Sequence, residues 1–254
     1  MRRVVLKVGS AVLTENSTLA LERLENLVAL IASLKDKYEI ILVSSGAVAA
    51  GFSLLQLDKK VIANKQVLAA LGQPLLLDTY RQKFSQYNIL CAQVLLEASI
   101  FNDSTRLEHA KDAMQVMMQN NIVPIINEND VTATEELVFG DNDQLSAYIT
   151  KYFDADLLVI LTDIDGYYDK NPHEYEDAKQ EKIVHVISQS QLEEKHSANS
   201  EFATGGIVTK LKAAHFLLEN KKSMFLASGF DLKSAYDFLL DSSQTNGTLF
   251  IGKE

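Results

Sequence analysis

Short, continuous apolar runs alternate along this chain with longer stretches in which apolar residues recur at helical spacing. The apolar runs predict buried strands at 4–8, 40–43, 89–96, 122–126, 157–161, 224–227 and 248–251. The helical stretches cover 21–37, 59–87, 107–120, 144–153, 207–220 and 233–240. Strands that alternate with helices predict an α/β fold, with a mainly parallel central sheet sandwiched by helices.

Two details of this pattern predict local irregularities. Pro74 follows Gly72 and Gln73 inside the stretch 59–87. We expect the helix to be interrupted there, because proline disfavours helix in the residue before it. The alternation of apolar and polar residues at 183–187 is loose, and it predicts a small hairpin lying over a site.

The segment 124–146 carries the most informative polar residues. A buried strand stops at the polar run 127–130, Asn-Glu-Asn-Asp, and a helix opens after a second run at 140–143, Gly-Asp-Asn-Asp. Asn, Asp and Gly favour turns and caps, so either run alone is as consistent with capping as with a site. Because one run ends a buried strand and the other opens a helix, the pair favours a site for a metal or a small polar ligand.

Polar residues also follow the first two predicted strands. Lys7 interrupts an apolar strand that ends at Gly9. Burying its charge without a partner would be costly, so the alternative is an edge strand with Lys7 in solvent. Ser45 and Gly46 lie between the second strand and a small-residue helix. That arrangement aims backbone N–H groups at an anion, although Ser45 could equally be a simple helix cap.

The second half of the chain adds similar features. Thr162 and Asp163 close a buried strand, and the residues 204–206, Thr-Gly-Gly, open the helix 207–220, which carries Lys210 about one turn in. Two lysines beside glycine-containing turns in an acidic protein suggest a polyphosphate ligand. Neither the Walker pattern nor the dinucleotide-binding glycine pattern occurs in the sequence. Phosphoryl transfer by a protein without a P-loop is therefore the chemistry that these residues still allow.

Composition narrows the class of protein. The chain has 254 residues, of which 47% are hydrophobic, enough for a sizeable core in one large domain or two lobes. The net charge of −10 and the lack of a basic patch argue against a nucleic-acid partner. The single cysteine, Cys91, allows no disulfide within one chain and suits a reducing cytoplasm. The sequence has no signal-peptide pattern at its start and no apolar run near the ~20 residues that span a bilayer, so we expect a cytoplasmic protein without a membrane partner.

The resemblance of this chain to a known family rests on six motifs in a fixed order: K-V-G-S, V-S-S-G-A, P-I-I-N-E-N-D, F-G-D-N-D-Q-L-S-A, L-T-D-I-D-G-Y-Y and T-G-G-I-V-T-K-L. In that order they resemble the amino-acid kinase superfamily over essentially the whole chain. The pair N-E-N-D and G-D-N-D resembles specifically the branch that phosphorylates glutamate. Branches acting on acetylglutamate, aspartate, carbamate or uridylate resemble the chain at the first lysine and glycine turn but not at that pair.

This resemblance implies ATP-dependent phosphorylation of the γ-carboxylate of L-glutamate to γ-glutamyl phosphate, the first step of proline biosynthesis. Mg²⁺ would be carried mainly by the nucleotide phosphates, without a protein metal site. The resemblance also implies a single domain over 1–254, with an amino-acid-substrate lobe at 1–153 and a nucleotide lobe at 154–254. We expect a form without the C-terminal PUA-type domain that many relatives carry. Further expected partners are proline as a feedback inhibitor, other copies of the chain, and the next enzyme of proline synthesis, glutamate-5-semialdehyde dehydrogenase.

The resemblance implies roles for individual residues. Lys7 and Lys210 would face the transferring phosphoryl group, and Asp143 would orient both lysines. The residues implied to bind glutamate are Ser45, Asp130, Asn142 and Asp141. The residues implied to bind ATP are Lys7, Gly9, Thr162, Asp163, Thr204, Gly205, Gly206, Ile207, Val208, Thr209 and Lys210. Two alanines, Ala11 and Ala203, depart from the usual family pattern of a hydroxyl residue and a glycine, and we expect them to weaken nucleotide affinity at most.

Two other functions stay open at this point. The first is a kinase of the same fold that acts on another small acid, such as acetylglutamate or aspartate. The second is a non-catalytic amino-acid sensor. A sensor could lose its phosphoryl-facing residues, so the presence of Lys7, Asp143 and Lys210 argues against it.

Overall fold

The computed structural model describes residues 1–132, 142–170, 172, 174–193 and 206–253. Contacts within the chain group the residues into two compact units. The first unit comprises 1–2 and 8–138, and the second comprises 3–7 and 139–254. Within the described residues, no helix combines the length and the apolar character needed to cross a lipid bilayer.

The strands and helices follow the predicted alternation closely. The strands are β1 (Arg2–Val8), β2 (Thr14–Glu15), β3 (Thr18–Leu19), β4 (Tyr38–Ser44), β5 (Cys91–Leu96), β6 (Val123–Glu128), β7 (Leu157–Thr162), β8 (Tyr167–Tyr168), β9 (Gln180–Glu181), β10 (Ile183–Val184), β11 (Ser223–Ser228) and β12 (Thr248–Phe250). The helices are α1 (Ser10–Leu13), α2 (Leu21–Leu34), α3 (Ala47–Leu54), α4 (Ile62–Ser85), α5 (Ser104–Gln119), α6 (Asn142–Tyr152), α7 (Gln189–Glu193), α8 (Gly206–Glu219) and α9 (Lys233–Leu240), with a 3₁₀ helix at Ala98–Asn102.

In the first unit, three parallel strands lie side by side in the order β4, β6, β5. Leu42 lies opposite Ile125, and Val43 lies opposite Ile126. All four side chains are buried, as expected of strands covered on both faces. Because the strands run parallel, the carboxyl ends of β4 and β6 meet at the same edge of the sheet.

In the second unit, the strand order is β10, β12, β11, β7, β1. Strand β11 pairs in parallel with β7 along its full length, from Ser223 opposite Leu157 to Ser228 opposite Thr162. Strand β12 runs antiparallel to β11, and β10 runs parallel to β12. Helix α8 packs against β11 and against α6, which in turn packs on β7. The predicted α/β fold, with a mainly parallel sheet flanked by helices, is confirmed.

The predicted interruption of the helix near Pro74 is wrong, because α4 runs through this residue as one helix. A proline inside a helix costs about 3 kcal/mol, and sequence alone shows only this local cost. Close packing of α4 on α3 offsets the cost of Pro74. A Cβ placed on Gly72 would lie 1.8 Å from the carbonyl oxygen of Ala47 and 2.3 Å from the backbone nitrogen of Gly51. The two helix backbones therefore touch next to the proline.

The hairpin predicted at 183–187 is also wrong. Only Ile183 and Val184 form a strand there, and this strand pairs in parallel with β12. The antiparallel pair in this region is formed by β8 and β9, with Tyr167 opposite Glu181. A pattern of five residues contains no information about a partner strand more than sixty residues away, such as Leu249 opposite Ile183.

Gly72→Ala should lower the free energy of unfolding by at least about 2 kcal/mol, because the new methyl group overlaps the α3 backbone. This loss should occur although alanine favours a helix over glycine by about 1 kcal/mol. Urea unfolding followed by circular dichroism measures the change. Gly252→Ala is the control, since a Cβ there has no atom within 4 Å and should change stability by less than about 0.5 kcal/mol. An unchanged urea midpoint in Gly72→Ala would contradict the close helix contact.

Candidate active site

A buried carboxylate bridges two buried lysines in the second unit. The Nζ atom of Lys7 lies 2.6 Å from Oδ1 of Asp143, and Nζ of Lys210 lies 3.2 Å from Oδ2 of the same residue. The exposed fractions of these residues are 2% for Lys7, 0% for Asp143 and 4% for Lys210. The structure thus brings together the three side chains that the resemblance implies for catalysis.

Three different elements supply this cluster. Lys7 lies on β1, Asp143 lies in the first turn of α6, and Lys210 lies in the second turn of α8. The hydroxyl of Ser146 donates to the carbonyl oxygen of Asp143 at 2.7 Å, which fixes the first turn of α6. The hydroxyl of Thr209 lies 2.8 Å from Oδ2 of Asp143, and Asp143 therefore ties α6 to α8 through two successive residues.

Further hydrogen bonds hold α8 against α6. The side-chain amide of Gln144 donates to the carbonyl oxygen of Thr209 at 3.1 Å. The ammonium group of Lys210 donates to the carbonyl oxygen of Gly206 at 2.8 Å, one turn earlier in the same helix. The ammonium group of Lys210 is therefore bonded both to its own helix and to Asp143, so its charge has a defined position.

The charge of the cluster suits an anionic ligand. Two ammonium groups and one carboxylate carry a net charge of +1, in a protein whose net charge is −10. An unpaired buried charge is very costly, whereas a paired and hydrogen-bonded one is tolerated. Asp143 provides that pairing and still leaves an excess of positive charge. This positive charge would be in position before a phosphoryl group binds.

The residues implied to hold ATP lie partly within the described structure. Thr162 ends β7, and its hydroxyl donates to Oδ1 of the exposed Asp163 at 2.8 Å. The backbone N–H of Gly229 donates to the carbonyl oxygen of Thr162 at 2.7 Å, which joins the ends of β7 and β11. Gly206 opens α8, where a Cβ would meet no atom within 4 Å.

Other residues implied to bind ATP or glutamate lie at the starts of α8 and α6. In α8, Ile207 and Val208 follow Gly206 and are buried, while Thr204 and Gly205 lie outside the described residues. Asn142 is the first residue of α6 and is half-buried. Its neighbour Asp141, implied to bind glutamate, also lies outside the described residues.

In the first unit, Ser45 and Asp130 follow two paired parallel strands. Ser45 comes directly after β4, and its backbone N–H donates to the carbonyl oxygen of Val8 at 3.3 Å, just before Gly9 opens α1. Asp130 comes two residues after β6. Gly46, between β4 and α3, has a positive φ of 109°, a conformation that favours glycine at this turn. The two strand ends lie at one edge, where parallel sheets bind ligands.

Asp130 lines a cavity of about 210 Å³ in the first unit. The side chains of Gln73, Gln93 and Glu128 also line it, together with apolar residues of α4. Burial raises the pKa of the Asp130 carboxyl above its ordinary value of 3.8, and the positive charge of Lys65 only partly opposes this effect. The positive charge of Lys65 therefore does not fully compensate an ionised Asp130, and a cationic ligand group beside it would add to that compensation.

Sequence analysis expected the segment 183–187 to lie over a site, and residues 183–186 line a cavity of about 410 Å³ in the second unit, together with Tyr167, Glu181 and Gln191. It did not identify the hydrogen bond between the buried side chains of Gln73 and Asn127, 2.9 Å long. The signal available in the sequence was weak: Gln73 is a polar residue between a glycine and a proline in a helical stretch.

Comparisons with known proteins agree with this fold. The model of the amino acid kinase family matches residues 2–228. Among solved structures, an isopentenyl phosphate kinase in complex with its substrate is similar, with a TM-score of 0.67 at 14% identity over 98% of this chain and 100% of that chain. Carbamate kinase from Giardia lamblia bound to AMP-PNP has a TM-score of 0.66 at 16% identity over 99% of both chains. At such low identity these structures establish the shared fold alone.

Curated relatives are much more similar in sequence. The glutamate 5-kinase of Wolinella succinogenes is 51% identical over 99% of this chain and 98% of that protein. The glutamate 5-kinases of Helicobacter hepaticus and Leishmania donovani are 50% and 49% identical, over 98% and 100% of this chain and 94% and 96% of those proteins. The chain therefore belongs to the amino acid kinase family, and within it to the glutamate 5-kinases.

Asp130→Asn should raise the free energy of unfolding at pH 7. The pKa of Asp130 is higher in the folded state than its ordinary value of 3.8. Ionisation of this carboxyl therefore disfavours the folded state once the pH rises above 3.8, and asparagine removes this cost. The gain should shrink as the pH falls towards 3.8, because the carboxyl becomes protonated. Urea unfolding at pH 7 and pH 4.5 measures both values. Asp112→Asn on the exposed face of α5 is the control, and an equal gain at both pH values would refute the assigned cause.

Proposed function

We propose that this protein transfers the γ-phosphoryl group of ATP to the γ-carboxylate of L-glutamate, giving γ-glutamyl phosphate and ADP. This would be the first step of proline biosynthesis. The observation that carries the proposal is the buried Lys7–Asp143–Lys210 cluster, two ammonium groups held by one carboxylate. The names of the relatives at about half identity support glutamate as the substrate.

The reaction needs no general base. A glutamate side chain with a pKa near ~4.3 is more than ~99% ionised at pH 7, so the nucleophile arrives already deprotonated. One carboxylate oxygen forms a bond to the γ-phosphorus, and the bond from that phosphorus to the bridging oxygen of ADP breaks. The barrier lies in bringing two anions together. Positioning and charge stabilisation are therefore the main contributions of the protein.

Lys7 and Lys210 are proposed to stabilise the negative charge of the transferring phosphoryl group. Asp143 would orient both ammonium groups, which removes the need to reorganise them during the reaction. Mg²⁺, when bound with the nucleotide, would neutralise phosphate charge, and it would be held largely by phosphate oxygens and water.

Recognition of glutamate is proposed to involve Ser45, Asp130, Asn142 and Asp141. Asp130 suits the α-ammonium group of the substrate, because that charge would relieve the burial cost that raises the pKa of its carboxyl. Asn142 suits the α-carboxylate, since its side-chain amide can donate a hydrogen bond to a carboxylate oxygen. The nucleotide would be held by Gly9, Thr162, Asp163 and the segment 204–210.

The remaining proposals concern partners and location. Proline shares the α-amino acid group of glutamate, and we propose that it inhibits by competing for Asp130 and Asn142. The protein is proposed to act in the cytoplasm, to associate with further copies of itself and to pass its product to glutamate-5-semialdehyde dehydrogenase. The chain would act as one domain, with a substrate lobe at 1–153 and a nucleotide lobe at 154–254.

Lys210→Ala should lower kcat by roughly 10²–10³, by analogy with removing one donor to a developing negative charge. Lys7→Ala should have an effect of the same size. Lys212→Ala is the matched control, because this lysine lies two residues further along α8 but is exposed. Steady-state kinetics with ATP and glutamate measures the change, and near-normal kcat in both Lys7→Ala and Lys210→Ala would refute the assigned roles.

The product itself tests the function most directly. Purified protein with MgATP, L-glutamate and hydroxylamine should accumulate γ-glutamyl hydroxamate, because hydroxylamine traps acyl phosphates. N-acetylglutamate should react at least ~10²-fold more slowly, since acetylation removes the charge that Asp130 would pair with. Aspartate should also be slow, because one methylene less misplaces its carboxylate by over ~1 Å, which can cost about 10²-fold.

Two outcomes of the same assay would favour the other functions. A preference for N-acetylglutamate or aspartate would indicate a kinase of the same fold for another small acid. Bound ATP without hydroxamate from any of the three acids would indicate an amino-acid sensor.

A further inference from the structure

One face of α4 carries two polar side chains that reach the ends of β4 and β6. Gln73 and Tyr80 are seven residues apart, close to two helical turns, so they project from the same face of the helix. Both are buried, with exposed fractions of 8% and 0%. A buried polar atom costs stability unless it is hydrogen-bonded, and each of these side chains is bonded to the end of a strand.

Gln73 holds the end of β6 through Asn127. The side-chain amide nitrogen of Asn127 donates to Oε1 of Gln73 at 2.9 Å. Its side-chain oxygen accepts the backbone N–H of Glu128, also at 2.9 Å. The backbone N–H of Glu128 can only donate, so the oxygen of Asn127 faces it and the NH₂ group of Asn127 is left to donate to Gln73. Gln73 thereby fixes the backbone two residues before Asp130.

Tyr80 holds the end of β4 through Ser44. The hydroxyl of Ser44 donates to the carbonyl oxygen of Ser45 at 3.0 Å, and the two hydroxyl oxygens of Ser44 and Tyr80 are 2.9 Å apart. Each hydroxyl can donate or accept, so the bond between Ser44 and Tyr80 forms whichever of the two supplies the proton. Burial raises the pKa of the Tyr80 hydroxyl above its ordinary value, so this group stays protonated at neutral pH.

We propose that Gln73 and Tyr80 are positioning residues for the substrate: each acts through the turn that it holds, the turn of Asp130 for Gln73 and the turn of Ser45 for Tyr80. This inference rests on the proposed function, and it extends that function to a helix that none of the six motifs includes. One rigid helix supports both turns. The relative position of Asp130 and Ser45, two of the residues proposed to bind glutamate, therefore follows from the spacing of Gln73 and Tyr80, about 10 Å along α4.

The experiment compares variants that remove each hydrogen bond with little change in volume. Gln73→Met and Tyr80→Phe should each raise KM for glutamate roughly five- to tenfold, the effect of one hydrogen bond, with KM for ATP within about twofold of wild type.

The controls are exposed residues on α4 or directly after it. Gln82→Met removes an exposed amide that bonds to Asp78 rather than to a strand end, and it should leave both KM values unchanged. Tyr87→Phe is the control for Tyr80→Phe, because Tyr87 lies just after α4 and its side chain is exposed. It should also leave both KM values unchanged.

A second measurement does not depend on any substrate. Amide hydrogen exchange should become faster at 128–132 in Gln73→Met, and at 45–47 in Tyr80→Phe, with the rest of the protein unchanged. Exchange that is unchanged at these turns, or faster throughout the molecule, would overturn the inference, as would an equal rise in both KM values.

The outcomes separate this inference from the proposed function. A wild-type protein that phosphorylates glutamate, combined with unchanged KM values in Gln73→Met and Tyr80→Phe, overturns the positioning role alone. A wild-type protein that makes no γ-glutamyl hydroxamate overturns the proposed function, and with it the role of these residues in binding glutamate. Local exchange changes would then still show whether α4 holds the two turns.

Discussion

The second unit depends on the contact of one carboxylate with two lysines. Lys7, Asp143 and Lys210 each come from a different element, and each would be a costly buried charge on its own. Together they form a paired group that fixes β1, α6 and α8 at one point. The same pairing leaves an excess positive charge, so the interaction that stabilises these three elements also leaves one buried point of the second unit positive.

Most of the fold could be predicted from the pattern of apolar residues. The run predicted at 157–161 is observed as β7, one residue longer, and the run at 40–43 is observed as β4, with three further residues. Buried strands are easy to identify because both of their faces require apolar side chains. The break expected at Pro74 and the hairpin expected at 183–187 were wrong, since both depended on neighbours that lie far away in the sequence.

The site was less accessible to sequence reasoning than the fold. Lys7 was conspicuous because it interrupts an apolar strand, and Asp143 because it belongs to a dense acidic and amide run. Their contact with each other followed only from resemblance to a family, because residue spacing does not reveal which side chains meet. Gln73 and Tyr80 gave almost no signal. Their partners are a serine and an asparagine on strands that the sequence cannot align with α4.

The division of β1 has a consequence for how the protein is made. Residues 3–7 group with 139–254, whereas the residues on either side of them group with the first unit. Translation adds Asp143 and Lys210 only after the whole of residues 8–138 has followed Lys7. Lys7 can therefore meet its carboxylate only after the chain of the first unit has been synthesised. A chain divided between 138 and 139 would separate Lys7 from the carboxylate that neutralises it.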